Sequence, residues 1–519
     1  MSSGSRTPRS SGQGLNRRQF FSRTAAASAL GITGSGGLFA GLVARAEAAP
    51  LTSGRGVGYG PLAPAGPHLS LPPGFQYSVV SAEGDEMDDG FPVPKAMDGM
   101  GAFPLSNGNV LLIRNHEDSE PPNRLRPLPA GSTSTTLGIL NDRLNTHYGP
   151  RAYAYDEFTG GGTTTIEVEP HGQRRRVREH WSLVGTMRNC AGGVTPWGSW
   201  LSCEETFESP NSGNGAAQTH GFVFEVPADT VAGQPATPTA LTALGRFNHE
   251  AAAVDPATGI IYLTEDQGDG SGLYRYVPPT RPTAPGQLAS MTGGVLQMLR
   301  VTTADRYIAA IGQTVGASLP VSWVTVPNPT PSPSTVVIGA PANLGLVSGV
   351  FNQGYLAGGA VFRRLEGCWF DKGYLYFAST SGGHAGLGQI WVLNPQSSTL
   401  TLVFESPDVD VLDACDNVTV TPRGGLIICE DNGGMQFLRG ISKSGEVFDF
   451  AKNIHNAIEF AGACFSPDGQ TLFVNLFGRM TVRTLTPFRA ARQIPLQQPE
   501  SSEQALTLAI WGPWKSGLL

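Results

Sequence analysis

Short apolar stretches alternate along this chain with clusters of Gly, Asp, Asn and Pro. One unit recurs loosely six times: an apolar stretch, a turn cluster, a second apolar stretch, then acidic or polar residues. Asp98 leads through Ser106-Asn107-Gly108 to an apolar run at 110–113 and on to Asn115-His116-Glu117-Asp118. Cys190 leads through Pro196-Trp197-Gly198 to Trp200-Leu201 and Cys203-Glu204-Glu205. His249-Glu250 leads through Asp255-Pro256 to 260–263 and Glu265-Asp266. Glu366 leads through Asp371-Lys372-Gly373 to 374–377 and Ser379-Thr380. Asp416-Asn417 leads through Arg423-Gly424 to 426–428 and Glu430-Asp431. Glu459 leads through Pro467-Asp468-Gly469 to 472–474 and Asn475.

Each unit reads as a hairpin of two short strands joined by turn chemistry. Further apolar strands follow at 272–277, 389–393 and 436–441. Three to four strands per unit, repeated radially, make a propeller blade. The last units, starting at 366, 416 and 459, are spaced like compact blades of roughly 40–50 residues. The wider gaps imply loop insertions, one of them the Pro/Ser-rich stretch 327–336. The expected fold is all-β, a six-bladed β-propeller with loop insertions; a pair of β-sandwiches is the alternative.

Composition agrees with many turns between short strands. The 519 residues include 67 Gly and 40 Pro, and only 15% are charged. The N-terminus reads as an export leader. Asn16-Arg17-Arg18-Gln19-Phe20-Phe21 is a twin-arginine pattern, and a weakly apolar Ala/Gly stretch follows. Two small-x-small sites close it, at Ala44-Arg45-Ala46 and Ala46-Glu47-Ala48. Residues 1–48 are therefore expected to be a signal peptide, and 49–519 a single propeller domain without stable membrane insertion. The expected location is periplasmic or extracellular.

Charge narrows the partners. The whole chain is −7 and the leader, with six Arg and one Glu, is +5, which leaves −12 for the rest. Such a protein is a poor binder of nucleic acid. An anionic substrate would need bound cations to reverse the local sign. The six cysteines, Cys190, Cys203, Cys368, Cys415, Cys429 and Cys464, form no CxxC zinc pattern. Disulfides, free buried thiols and a thiolate ligand all stay open.

The two strands of a hairpin are antiparallel, so residues before the first and after the second share one end. A propeller therefore gathers Glu117, Glu204, Glu250, Glu265, Asp266, Glu366, Asp416, Glu430, Asp431 and Glu459 toward one channel mouth. So many carboxylates either stay partly protonated or hold cations. Oxygen donors suit Ca²⁺, Mg²⁺ or Mn²⁺, and a thiolate such as Cys203 would favour a transition metal. His147, His171 and His220 read as surface or turn residues. Arg174-Arg175-Arg176 reads as a solvated hairpin edge, and Asp269-Gly270-Ser271-Gly272 as a turn. No G-x-S-x-G elbow, P-loop or dinucleotide fingerprint is present.

At these hairpins the sequence resembles the PhoX-type alkaline phosphatases and related proteins of unknown function. The matching stretches are the twin-arginine signal, Asn115-His116-Glu117, the run 189–198 continuing to Cys203-Glu204-Glu205, 245–250, Arg364-Leu365-Glu366, Asp416-Asn417 and 422–425. The resemblance implies a six-bladed propeller with an iron–calcium cluster that hydrolyses small phosphate monoesters. It implies Cys203 as an iron ligand, Glu117, Glu204, Glu250 and Glu366 among the cluster's carboxylates, and Arg364 facing the phosphate. The candidate metal set is thus Glu117, Cys203, Glu204, Glu250, Glu366, Asp416 and Glu430, with Arg364 and Glu366 as catalytic candidates. The chain departs from the phosphatase branch at Leu365, where Pro is expected, and at an inserted Gly367-Cys368. Two other classes compete. One is a calcium-dependent propeller lactonase or esterase with a single Ca²⁺ and a His or Asp base, for which His116 or His249 could serve. The other is a non-catalytic binding propeller presenting Trp197, Trp200 and Trp369.

Overall fold

The computed structural model describes residues 58–118, 149–212, 216–333, 346–478, 504–517 and 519. The expected leader lies outside these residues, as does His147. The fold is all-β and propeller-like. All strand pairs within its sheets are antiparallel.

Every unit read from the sequence is a hairpin. Met97–Pro104 pairs with Val110–His116, Asn189–Val194 with Ser199–Glu204, and His249–Val254 with Ile261–Glu265. Leu365–Asp371 pairs with Tyr374–Ser379, Cys415–Val420 with Leu426–Glu430, and Phe460–Phe465 with Thr471–Leu476. The local causes are visible in the turns. Between Asp371 and Tyr374, Lys372 and Gly373 both have positive φ, +47° and +88°. That is the two-residue turn whose twist matches the flanking strands.

The first strands of the six hairpins pack side by side and close on themselves: Met97–Pro104 on Asn189–Val194, then the strands starting at His249, Leu365, Cys415 and Phe460, and back to Met97–Pro104. Outer strands extend each hairpin. The third and fourth hairpins belong to one nine-stranded sheet because Ser318–Thr325 bridges their outer strands. The last sheet is completed by Gln76–Ala82, from the start of the described chain, which pairs with Leu506–Trp511. The ring is thereby closed by the two ends of the described chain.

This closure is reinforced by a buried ion pair. Arg114 donates to Glu179 at 2.6 Å, to Thr507 Oγ1 at 2.6 Å and to Ser81 Oγ at 3.1 Å.

The hydrophobic core sits between neighbouring sheets. One cluster joins Leu201 and Val223 to Ile261 and Met298; another joins Tyr262 and Leu299 to Phe377 and Trp391. Others join Phe404 to Ile428, Phe450 to Leu508, Val80 to Leu112, and Ile113 to Phe224. The first strands are buried along most of their length. Their sequences are accordingly rich in Ala, Gly and Cys instead of alternating with polar residues. Trp197 and Trp200 are core residues and Trp369 is half-buried, so they offer no exposed aromatic platform. The Arg-rich edge is structural too: Arg174 stacks on Trp511 at 4.2 Å and Arg176 pairs with Glu179 at 2.8 Å.

A candidate metal centre in the channel mouth

Each hairpin carries a β-bulge near the start of its first strand. The register slips between Met97 and Met100, Asn189 and Gly192, His249 and Ala252, Leu365 and Cys368, Cys415 and Val418, and Ala461 and Cys464. A bulge leaves an extra residue unpaired and re-aims its side chain. In five hairpins the first bulged residue is Asp98, Cys190, Glu250, Glu366 or Asp416. The next is Gly99, Ala191, Ala251, Gly367 or Asn417, mostly small. A Cβ on Gly99 would lie 2.4 Å from Ala191 Cα, and one on Gly367 would lie 2.7 Å from Asn417 Cα. Small residues here let neighbouring first strands approach closely, which draws the bulged acids together.

The residue before the bulged strand is left-handed in four hairpins: Ala96, Arg188, Arg364 and Ala414, with φ between +43° and +55°. For non-Gly residues this conformation costs on the order of 1–2 kcal/mol each. Its recurrence at one repeat position marks a constrained site.

Three groups of donor atoms result, each with all members within 4.8 Å of one another. They are Asp98/Glu117/Cys190, Glu250/Glu366/Asp416 and Asp416/Asp431/Glu459. Burial, then neighbouring carboxylates, pushes the Asp98, Glu250 and Glu459 carboxyls well above their usual range. Glu366 is raised likewise, by burial and then Asp266, although Arg364 opposes this. Asp416 is pushed up to about 8, by burial and then by Asp431. Glu205 also reaches about 8, by burial, with Arg188 opposing and Asp266 adding to the rise. These carboxyls cannot all ionise without compensating cations. Glu250 is completely buried and neither of its oxygens has a hydrogen-bond partner. A buried, unpartnered carboxylate facing two further carboxylates fits a cation. The Cys190 thiol beside Asp98 and Glu117 supplies the softer donor that transition metals favour.

Guanidinium groups hold the upper edge. Arg364 Nη2 donates to Glu366 at 2.6 Å and to Asp266 at 3.0 Å. Arg188 pairs with Glu205 and lies 3.5 Å from Glu117.

The structure divides the candidates read from the sequence. Glu117, Glu250, Glu366, Asp416 and Arg364 reach the mouth. Glu204, Glu430 and Cys203 do not. Successive residues of a strand face opposite sides, so where Glu117, Glu205, Asp266 and Asp431 face the mouth, the residue before each turns into the sheet. Glu204 accepts from the backbone N–H of Met187, Gly221 and Phe222 at 2.9, 2.8 and 3.1 Å, and from His220 at 2.7 Å. His220 is therefore fully buried, not a surface residue. Burial disfavours its charge, but Glu204 and Asp156 outweigh that and raise its pKa to about 9. Glu265 accepts from Tyr274 Oη at 2.5 Å and Ser348 Oγ at 2.6 Å. Glu430 accepts from Arg439 Nε at 2.7 Å. Cys203 lies in the apolar cluster with Leu201 and Val223.

Glu204→Ala is expected to cost about 3–5 kcal/mol in denaturant unfolding, because it removes the acceptor of three backbone N–H groups and leaves the buried His220 with Asp156 alone. It should leave the protein's metal content unchanged.

Sequence reading left Asp98 and Arg188 out of the candidate set and placed Cys203 ahead of Cys190 as the metal-binding thiol. A signal was present. Cys190 and Asp98 hold the same repeat position as Glu250, Glu366 and Asp416, so superposing the repeats on the bulge would have found both.

Fold and site together define a class: a propeller-like all-β protein with a mouth of clustered carboxylates and a thiol, suited to metal ions. Residues 57–478 match the family model described as alkaline phosphatase PhoX, and the chain belongs to that family. No curated protein matches the chain. Among solved structures it is similar to streptogramin B lyase, at 10% identity over 84% of this chain and 97% of that one, with TM-score 0.36. A gluconolactonase from Xanthomonas campestris aligns at 11% identity over 87% and 99%, with TM-score 0.35. Hydrazine synthase from Kuenenia stuttgartiensis aligns at 14% identity, with TM-score 0.27, over 55% of this chain and only 54% of that one. Likeness at these scores carries no functional inference. No helix among the described residues is long and apolar enough to cross a membrane.

Proposed function

We propose that this protein is an exported, metal-dependent phosphatase that hydrolyses phosphate monoesters in the mouth of a six-bladed propeller. The observation that carries the reading is the buried Glu250 carboxylate, unpartnered on both oxygens, in a chain of this family. Glu250, Glu366, Asp416, Asp431 and Glu459 would hold calcium. Asp98, Glu117 and Cys190 would hold iron. When bound, such ions neutralise phosphoryl oxygens and activate the attacking oxygen.

The chain's own residues supply positioning. Arg364 reaches the mouth with its side chain 28% exposed, enough to meet a ligand. Its planar fork can take two phosphoryl oxygens at once. Glu366 and Asp266 fix the guanidinium from behind. The buried walls keep the acids out of bulk water, so their charge acts at low effective dielectric.

Neither histidine named for a lactonase-type reading is placed to serve as its base. His249 is buried, bonds to the Gly245 carbonyl at 3.0 Å and stacks on Phe247. Burial depresses its pKa to about 3. His116 is held by the Lys95 carbonyl and Thr164.

The test is metal analysis of purified protein together with an assay of phosphate release from a simple aryl phosphate, with and without calcium. Glu366→Gln is expected to lower the rate by at least about 100-fold, since it removes both a charged cation donor and one of the two carboxylates that anchor Arg364. Full activity in that variant, or no iron and no phosphate release in the wild type, would reject the proposal.

A further inference from the structure

All six hairpins are closed by the same backbone hydrogen bond. The residue after the second strand donates its N–H to the carbonyl of a residue at the entry to the first. Glu117 donates to Ala96, Glu205 to Arg188, Thr380 to Arg364 and Asp431 to Ala414, each at 2.9 Å. Asp266 donates to Asn248 at 3.1 Å, and Phe477 to Glu459 at 3.2 Å. The six acceptors therefore hold equivalent places around the mouth. In ring order they are Ala96, Arg188, Asn248, Arg364, Ala414 and Glu459. Arg, Asn and Arg occupy one arc. Ala, Glu and Ala occupy the other. The first arc carries two guanidinium side chains, one on either side of Asn248.

We propose that Arg188 and Arg364, on either side of Asn248, form a two-guanidinium clamp for a doubly charged phosphoryl group. Arg188 is then a second substrate-binding residue. This rests on the phosphatase reading above and sharpens its substrate class, to monoester dianions in preference to diester monoanions.

Four observations support the clamp. Both arginines share the left-handed backbone, with φ +51° and +43°, so both side chains leave the ring from the same local frame. Both side chains are partly open to solvent, at 24% and 28%. Glu205, the partner of Arg188, bridges to Asn248 through the backbone, and Asp266, the partner of Arg364, donates to the Asn248 carbonyl, so both arginines are paired to residues bonded to Asn248. Arg188 is held at one edge by Glu205 and only loosely by Glu117, whose Oε1 lies 3.5 Å from Nε. A planar guanidinium held loosely at one edge suits a further oxygen acceptor such as a phosphoryl group. Asn248 Nδ2, between them, is held by the Asp266 carbonyl and Gln267 Oε1 at 3.2 Å each.

The test is calorimetric titration of inorganic phosphate into calcium-supplemented protein, which needs no turnover. It is paired with the ratio of kcat/KM for an aryl phosphate monoester over the matching methyl diester. Arg188→Ala is expected to weaken phosphate binding about 10–100-fold and to reduce the monoester preference by a similar factor, with calcium affinity unchanged or tighter. Arg188→Lys, which keeps the charge but loses the fork, is expected to fall between wild type and Arg188→Ala. If Arg188→Ala does not fold, Arg188→Lys decides, with several-fold weaker phosphate binding expected. Wild-type phosphate binding in the folded variants, alongside monoester hydrolysis by the wild type, overturns the clamp and leaves the phosphatase reading standing. If the wild type neither binds phosphate nor hydrolyses the monoester, both fall.

Discussion

Stripped of metal, the protein is expected to become less stable as pH rises from 5 to 9, the reverse of ordinary acid denaturation. The sign follows from the mouth. Free carboxyls titrate near pH 4. In the folded chain Asp416 and Glu205 titrate at about 8, and Asp98, Glu250, Glu366 and Glu459 are raised by the same burial and crowding. Between these limits the folded state holds protons that the unfolded state has released. Stability therefore falls with pH across the window, and is greatest below about pH 4–5 as far as these groups are concerned. The groups interact, so the effects do not add. A fall in thermal midpoint on the order of 10 °C is the expected scale. Calcium should reverse it, because a ligand bound only by the folded state adds about 2.7 kcal/mol at one hundred times its Kd. Calcium binding near pH 7 should also release protons, measurable as a buffer-dependent heat. The check is a thermal scan of chelator-treated protein at several pH values, with and without calcium. A midpoint that is flat or rises with pH in the metal-free protein would show that the acids do not form one crowded group.

The second large effect separates two cysteines. Cys190→Ala is expected to abolish retention of a transition metal, and with it phosphate release, while the fold persists. Cys190 stands within 4.8 Å of donor atoms on Asp98 and Glu117, so its thiolate can share a metal with them. Burial, then Asp98 and Glu250, pushes its pKa well above the usual value. Only a bound cation would make the thiolate accessible near neutral pH. Cys203→Ala is expected to behave differently. Its thiol is wholly buried among apolar side chains, and truncation should cost about 1–2 kcal/mol of stability with metal content intact. Iron content by elemental analysis, read beside denaturant unfolding, distinguishes the two. Iron retained in Cys190→Ala and lost in a folded Cys203→Ala would restore the assignment of the iron-binding thiol to Cys203.

Much of the fold was legible because its signals are local. An apolar run, a turn of fixed chemistry and a second apolar run need no distant partner to be recognised, and all six hairpins stand where that pattern put them. The closing strand was not legible. Gln76–Ala82 reads as an isolated apolar stretch, and only its pairing with Leu506–Trp511, more than 400 residues away, shows that it completes the last sheet. His220 was misplaced for a related reason. Its partners Glu204 and Asp156 come from a strand and a distant loop, so the turn context around it suggested a surface that the packed chain does not have.

The carboxylates show the same division at the scale of one residue. The sequence by itself determined that acids cluster at the hairpin ends and that those ends converge. It also offered adjacent pairs, Glu204-Glu205, Glu265-Asp266 and Glu430-Asp431, of which strand alternation lets only one member face the mouth. Which member does so depends on the register between the two strands, and a bulge in the opposite strand resets that register. Bulges arise from how six first strands crowd around one axis, with Gly99 and Gly367 permitting the approach. Tertiary packing therefore decided that Glu205 and Asp431 line the mouth, that Glu204 and Glu430 are held by His220 and Arg439, and that Cys190 lies beside the acids while Cys203 lies in the core.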